Sequence, residues 1–292
     1  MIKPFVSVLI PAFNAEKTIE RSINSVLNQT YTNYEILVVD DFSLDQTINV
    51  LNKYLDVIIL IKHKKNFGEA TTRNTLMQHA NGEYFAWLDS DDEWDNNKLN
   101  MQIDFMTKKK INVSVTSFAL INKNLYQNSK IIFNQYQKFD YKYALTKGSH
   151  STALFSTLII AKKLSLKIGN IPTNYILYVD WHYLINIVKF CSIDVHNSPL
   201  SNIYYNFSKG SMALFSSSRL LIHHNKNFIS NLSLFIKFKF YSLIYRDIAS
   251  VYFDDKRIIR SSIFYIISFF LSPRFPSLIF FKRLKNYLLL NK

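Results

Sequence analysis

Cysteine is almost missing from the chain: Cys191 is the single one among 292 residues. No disulfide can therefore form within it, and without metal-ligand spacing around Cys191 the thiol is expected to pack as a small buried hydrophobe. A reducing compartment is the expected setting. Glycine and proline are scarce, at 5 and 6, which excludes collagen-like and Pro/Gly-rich disordered chains. Long apolar runs are lacking too. Ile263 to Leu271 is the best candidate, about half of the roughly 18 residues that a spanning helix needs. The opening MIKPFVSVLIPAFN has one lysine and an apolar stretch broken by Pro11, which reads as a strand and predicts no export signal. The C-terminal part is poor in acid: residues 210–292 carry 13 Lys and Arg against 3 Asp, so +10 of the net +14 belongs there.

What is present is ample core material, 48% hydrophobic and 15% aromatic, enough for one large domain or a domain with an extension. Phe5–Ile10, Glu35–Asp40, Val57–Ile61 and Tyr84–Asp89 read as strands, separated by segments with helical periodicity such as Ile19, Ile23, Val26 and Leu27. This βαβαβαβ order predicts a mainly parallel sheet with helices on both faces and ligands beyond the carboxyl ends of the strands. Those ends carry Pro11–Asn14, Asp40-Asp41 and Asp89–Asp92. Ser43 with Gln46 is expected to form a capping box with Asp45 in the first turn, and Asn14 to cap the first helix. Asp41 is left over for function. Asn81-Gly82 is expected to end the third helix and turn into the fourth strand. Further helices are expected over Asn97–Lys110 and Tyr178–Phe190.

The stretch Phe85-Ala-Trp-Leu-Asp-Ser-Asp-Asp-Glu-Trp94 crowds four carboxylates around one turn. They are either splayed into water or neutralised by a cation. A calcium loop would want Gly and Glu where Trp94 and Asn100 stand, so that reading fails. Asp89 and Asp91, two apart at a strand end, suit Mg²⁺ or Mn²⁺ with phosphate oxygens completing the shell. An exposed turn that caps the next helix accounts equally for Asp92, Glu93 or Asp95.

Four blocks, Val6–Asn14, Glu35–Asp45, Asn66-Phe-Gly68 with Thr72-Arg-Asn74, and Asn81–Asp92, resemble in order and spacing the family 2 glycosyltransferases. These are inverting enzymes of bacterial polysaccharide and lipopolysaccharide type with the A-type nucleotide-sugar-binding fold. The resemblance is strong over about the first 95 residues. It implies an α/β fold with a mainly parallel central sheet, and transfer of a sugar from a nucleoside-diphosphate donor, typically UDP-linked, to a hydroxyl of a glycan or lipid-linked acceptor. Pro11, Phe13, Glu16, Asp41, Arg73, Asp89 and Ser90 would then line the nucleotide-sugar site, with Asp41 at the base and Arg73 near base and phosphates. Asp91 would be the direct ligand of Mn²⁺ or Mg²⁺, with Asp89 beside it nearer the ribose. The catalytic base that takes the acceptor proton would be Asp180 in Tyr178-Val-Asp-Trp-His182. The chain departs here from the family's Glu-Asp pair, with Val179 in place of the first acid; a helix cap is the plain alternative for Asp180. Lys209 and Ser211 would close over the diphosphate, or belong to a solvated loop.

The resemblance and the change in composition near residue 212, where acidic residues nearly vanish, together set the expected organisation. Residues 1–212 form the catalytic domain, 1–95 as the nucleotide-binding half and 96–212 as the acceptor half, and 213–292 a basic, aromatic, mostly helical extension. A metal-dependent phosphatase and a non-catalytic scaffold are the alternatives. A nucleic-acid partner is not expected, because the basic residues of the extension stand among bulky aliphatics and aromatics, a pattern for an anionic membrane surface. The expected location is cytoplasmic and peripheral, at the inner face of the plasma membrane. The other occupant for those aromatics is the catalytic domain or a second copy of the chain.

Overall fold

β1 (Val6–Ala12) lies between β2 (Tyr34–Asp40) and β4 (Tyr84–Trp87), parallel to both, and β3 (Ile59–Lys62) lies parallel on the outer side of β2. The computed structural model describes residues 3–122, 130–132, 138–147, 154–205, 211–254 and 257–272. β1 runs on through Pro11 because its last pair with β4 is Leu9 with Trp87, so the proline has a strand neighbour on one side only.

Strand alternation separates two buried faces. Val6, Val8, Ile10, Ala12, Ile36 and Val38 meet Ile19, Ile23 and Val26 of α1 (Ile19–Leu27) and Leu99, Ile103 and Met106 of α4 (Lys98–Lys109). Leu9, Leu37, Val39 and Phe85 are buried too, and α3 (Glu69–His79) packs on β1 and β2. Each such side chain contributes about 1.5–3 kcal/mol, so helices on both faces fix the strand ends that carry the polar clusters.

Beyond β4 the sheet is mixed. β9 (Ile159–Ala161) is antiparallel to β4 and to β6 (Val113–Asn122); β10 (Ile193–Tyr205) is parallel to β6, and the short β5 (Glu93–Trp94) is antiparallel to β10. The mainly parallel expectation holds for β3-β2-β1-β4 and the β6–β10 pair and fails at β9 and β5. The short β7 (Lys130–Ile132) and β8 (Lys138–Phe139) pair antiparallel with β6 and β10. Register shifts around Pro199 bend β10.

Several local expectations are corrected. α2 (Thr47–Leu51) starts too late for Ser43 to cap it, and the Asp45 carboxylate accepts the Thr47 amide at 2.9 Å instead. Those hydrogen bonds outweigh the effect of partial burial and hold the Asp45 carboxyl below its usual range. Asn14 does not cap α1; its backbone is left-handed (φ 49°) and its Oδ1 accepts the Leu44 amide at 2.9 Å. Cys191 is partly exposed rather than buried. α3 ends at His79 and the Asn81-Gly82 turn follows; a Cβ on Gly82 would lie 2.4 Å from the Ser7 nitrogen, so only glycine lets the chain cross there.

The chain divides into two units: Met1–Tyr141, Ser149–Tyr175 and Val179–Asn206 form one, and Lys142–Gly148, Ile176–Tyr178 and Phe207–Lys292 the other. The first also holds α6 (Leu154–Thr157), α7 (Lys162–Ile168) and α8 (Val179–Val188). Most of α5 (Tyr141–Lys147) belongs to the second, with α9 (Ser211–His224), α10 (Lys226–Ser230), α11 (Leu234–Asp254) and α12 (Ile258–Leu271). Among the described residues no helix is long and apolar enough to cross a membrane.

Candidate active site

The carboxyl ends of β1 to β4 are tied together by their own polar residues. Asp40 accepts the Ser43 amide at 3.1 Å, and Ser43 Oγ in turn accepts the Asn14 amide at 2.9 Å. Glu16 accepts the Gln46 amide at 3.0 Å while its own amide donates to Asp45 at 3.1 Å. Asp41 is buried, and its carboxylate accepts the amides of Phe67 (2.9 Å) and Gly68 (2.8 Å), with His63 Nδ1 at 2.7 Å. Three of its roughly four acceptor positions are filled, so Asp41 organises the loop into α3 and is less free than expected. Around these acids Phe13, Phe42 and Phe67 are 46%, 45% and 44% exposed. Phe42 has a left-handed backbone, φ 64°, a conformation that favours glycine.

Arg73, buried in α3, reaches the end of β4. Its Nη2 donates to Asp89 at 2.6 Å and to Glu69 at 2.9 Å, its Nε to Glu69 at 3.1 Å, and the guanidinium lies 3.5 Å from the Phe155 ring centroid. Burial alone would lower its pKa; Asp89 and Glu69 more than offset that and raise it. Among the described residues Nη1, buried, has no hydrogen-bond partner, a cationic donor left over on the guanidinium that pairs with Asp89.

That turn is held from behind by residues with no local sequence signal. Arg21 of α1 donates Nη2 to the Asp91 carbonyl and lies 3.6 Å from the Tyr204 ring centroid. Ser22 Oγ donates to the Asp92 carbonyl at 2.6 Å. Ser156 Oγ accepts the Asp89 amide at 3.0 Å and donates to Asp92 Oδ2 at 2.5 Å, while the Tyr204 amide donates to Asp92 Oδ1 at 2.9 Å. Burial, then the charges of Asp89 and Asp91, push the Asp92 carboxyl well above the usual range despite these bonds. Asp92 is therefore an internal tie and no helix cap. Glu93 accepts from Tyr204 Oη (2.9 Å) and Asn202 Nδ2 (2.8 Å).

Among the described residues no three His, Cys, Asp or Glu side chains converge as a metal cage. The turn still fits a hard divalent cation of the kind that takes one or two carboxylates and completes its shell with phosphate oxygens. Asp89 and Asp91 are partly exposed there, and their negative charges, which act on the buried Asp92, are what a cation would offset.

Asp180 stands in the first turn of α8 with Oδ1 accepting the Trp181 amide at 2.7 Å. It lies one residue inside the helix, where the positive end of the macrodipole favours a carboxylate. His182 is buried, with Nδ1 3.0 Å from Tyr175 Oη and Nε2 2.8 Å from Asn186 Nδ2, so both ring nitrogens serve packing. Pro11 and Ser90 are half-buried at the ends of β1 and β4. Lys209 lies outside the described residues, and Ser211 opens α9 of the second unit.

A parallel first half that leads into an acidic turn, continued by mixed strands, is the architecture of the A-type glycosyltransferase fold. The sequence profile of glycosyl transferase family 2 matches residues 7–167. The chain is 45% identical over 120 residues to the UDP-Glc:alpha-D-GlcNAc-diphosphoundecaprenol beta-1,3-glucosyltransferase WfgD of Escherichia coli, a match covering 41% of this chain and about half, 47%, of that relative. It is 33% identical to the enzyme of the same description, WfaP, also of Escherichia coli, over 221 residues, 75% of this chain and 84% of that one. The mannosyltransferase PcManGT of Pyrobaculum calidifontis, solved with GDP-Man and Mn²⁺, superposes with a TM-score of 0.61 at 16% identity over 99% of this chain and 81% of that one, which shows the shared fold. The chain belongs to glycosyl transferase family 2, and the phosphatase alternative falls away.

Proposed function

We propose that this glycosyltransferase moves a sugar from a UDP-sugar to a hydroxyl of a lipid-linked glycan, with inversion and with a divalent cation, in the building of a cell-surface polysaccharide. The observation that carries the reading is the buried Arg73 paired at 2.6 Å with Asp89, beside Asp91 in the acidic turn at the end of β4. UDP as the carrier is supported by the two Escherichia coli relatives, whose names specify UDP-Glc. The same names, with diphosphoundecaprenol in them, support a lipid-linked acceptor.

In this reading Phe13, Phe42 and Phe67 offer apolar rings to the nucleoside, and Pro11, Glu16 and Asp41 border it, Asp41 through its remaining acceptor position. Arg73 orients Asp89 and directs its unpartnered Nη1 toward anionic oxygen. Asp91, with Asp89 and Ser90 beside it, would hold Mn²⁺ or Mg²⁺. When bound, that cation supplies countercharge to the diphosphate leaving group. Asp180 accepts the proton of the attacking hydroxyl, so that the new glycosidic bond forms as the bond to the diphosphate breaks. Residues 1–212 form the catalytic domain, divided at 95, and 213–292 an extension that attaches peripherally to the anionic inner face of the plasma membrane or joins copies of the chain. Incubation with UDP-glucose and other nucleotide sugars, with Mn²⁺, Mg²⁺ or EDTA, tests the core of this: cation-dependent release of UDP from one UDP-sugar is expected. Release that is equal in EDTA, or found only with GDP-sugars, contradicts it.

A further inference from the structure

α12 is built inside out for a helix in water. Ser261, Tyr265 and Ser268 occupy one face and are buried. Ser261 Oγ donates to the Ala249 carbonyl of α11 at 2.8 Å, Ser268 Oγ to the Ser242 carbonyl at 2.9 Å, and Ser242 Oγ returns a bond to the Ser268 carbonyl at 3.0 Å. Tyr265 packs with Ala249. The other face carries Ile259, Ile263, Ile266 and Phe270, 80%, 51%, 55% and 78% exposed, at the spacing of one helical stripe. Hydroxyls thus face the neighbouring helix while a continuous apolar stripe faces outward, the reverse of a helix that packs on a core. Because Ser242 meets Ser268 and Ala249 meets Ser261, α11 runs antiparallel, and its exposed Phe235 and Phe238 stand at the same end as Phe269 and Phe270.

We infer that this stripe of α12 is the surface that enters an anionic lipid layer, the helix lying in the plane of the headgroups. Charge selects this occupant. Arg257 and Arg260 are exposed at the start of α12, and the sequence from Arg257 to Lys292 contains no Asp or Glu. A second copy docked on this face would bring two sets of these arginines to one interface, whereas a negatively charged surface complements them. At 14 residues the helix is about 21 Å long, short of the roughly 30 Å of a hydrocarbon core, so it lies in the surface and does not span it. The inference rests on the peripheral attachment proposed above and adds which face inserts.

The test uses the full chain, phosphatidylcholine vesicles with and without phosphatidylglycerol, and two variants. Ile263→Glu with Ile266→Glu is expected to lower partition into phosphatidylglycerol vesicles about tenfold or more, with helix content, melting temperature and UDP binding unchanged. Phe270→Trp is expected to shift its indole emission to the blue and to be quenched by brominated acyl chains. If wild type pellets and the double variant pellets equally, with the indole of Phe270→Trp unquenched, this face is overturned while membrane attachment stands. If wild type does not pellet, both are overturned, and UDP binding still reports separately on the donor site. Conversion of a dimer to a monomer by the double variant, or loss of its helix content, would assign the stripe to a second copy or to the chain's own packing and also overturns the inference.

Discussion

Arg73 and Asp89 face each other at 2.6 Å, with the arginine side chain 2% exposed and the aspartate 34%. The pair joins α3 to the end of β4, so the two acids of the Asp89-Ser-Asp91 turn do different work. Asp89 neutralises a buried cation; Asp91 has no part in that ion pair.

The first prediction follows from that asymmetry. Asp89→Asn leaves Arg73 with Glu69 as its remaining acid and should destabilise the fold by about 1–3 kcal/mol besides losing transfer. Asp91→Asn should lose transfer and be destabilised less than Asp89→Asn, because it leaves the Arg73 ion pair in place. Thermal melts beside a transfer assay check this; equal destabilisation by the two would contradict the division of roles.

Arg21 positions the turn without belonging to it, through the Asp91 carbonyl and the Tyr204 ring. Arg21→Met should raise the Mn²⁺ concentration for half-maximal activity about tenfold while the melting temperature falls only slightly. Arg21→Lys should recover part of the loss. An unchanged Mn²⁺ requirement in Arg21→Met would reduce Arg21 to a surface contact.

Asp180→Asn should lower kcat by about 10²–10⁴ and leave UDP affinity within about twofold, because its carboxylate acts on the acceptor hydroxyl. Loss of UDP affinity with kcat retained at saturation would move Asp180 into the donor pocket.

Lys98 gives a pH signature. Its side chain is fully buried, donating to Gln102 at 2.8 Å and lying 4.3 Å from the Trp94 ring centroid, and burial pushes its pKa well below 10.5. Between the folded pKa and 10.5 the unfolded chain binds the extra proton, so wild-type stability rises with pH across that window. Below the folded pKa the full cost of burying the charge is present. The stability of Lys98→Met relative to wild type should therefore be greatest at low pH and decline as pH climbs toward 10.5. A difference that is flat with pH would mean that Lys98 titrates normally.

The strands of the first half were legible because β1, β2 and β4 are apolar runs that end in polar clusters, at Asn14, Asp40-Asp41 and Asp89–Asp92, and the family blocks fall on the same residues. β9 was not, since three buried residues, Ile159–Ala161, show neither alternation nor length. The ties behind the acidic turn were invisible for another reason: Arg21 reaches a carbonyl 70 residues away and Ser156 a carboxylate 64 away, and no local pattern encodes such a contact. Asp41 stands out in the sequence because no helix cap needs it, yet its bonds to Phe67 and Gly68 appear only once the loop is folded. In α12 the apolar stripe could be read, but not that Ser261 and Ser268 point inward, because periodicity defines faces and not which one is covered.

Calorimetric titration of UDP into wild type and Asp91→Ala, each in Mn²⁺ and in EDTA, tests the central claim most directly. Mn²⁺ should tighten UDP binding to wild type at least about tenfold, and Asp91→Ala, with its helix content retained, should bind UDP with the weaker affinity in either buffer. UDP affinity that is equal in Mn²⁺ and EDTA for wild type, or a full Mn²⁺ effect retained in Asp91→Ala, would contradict the account.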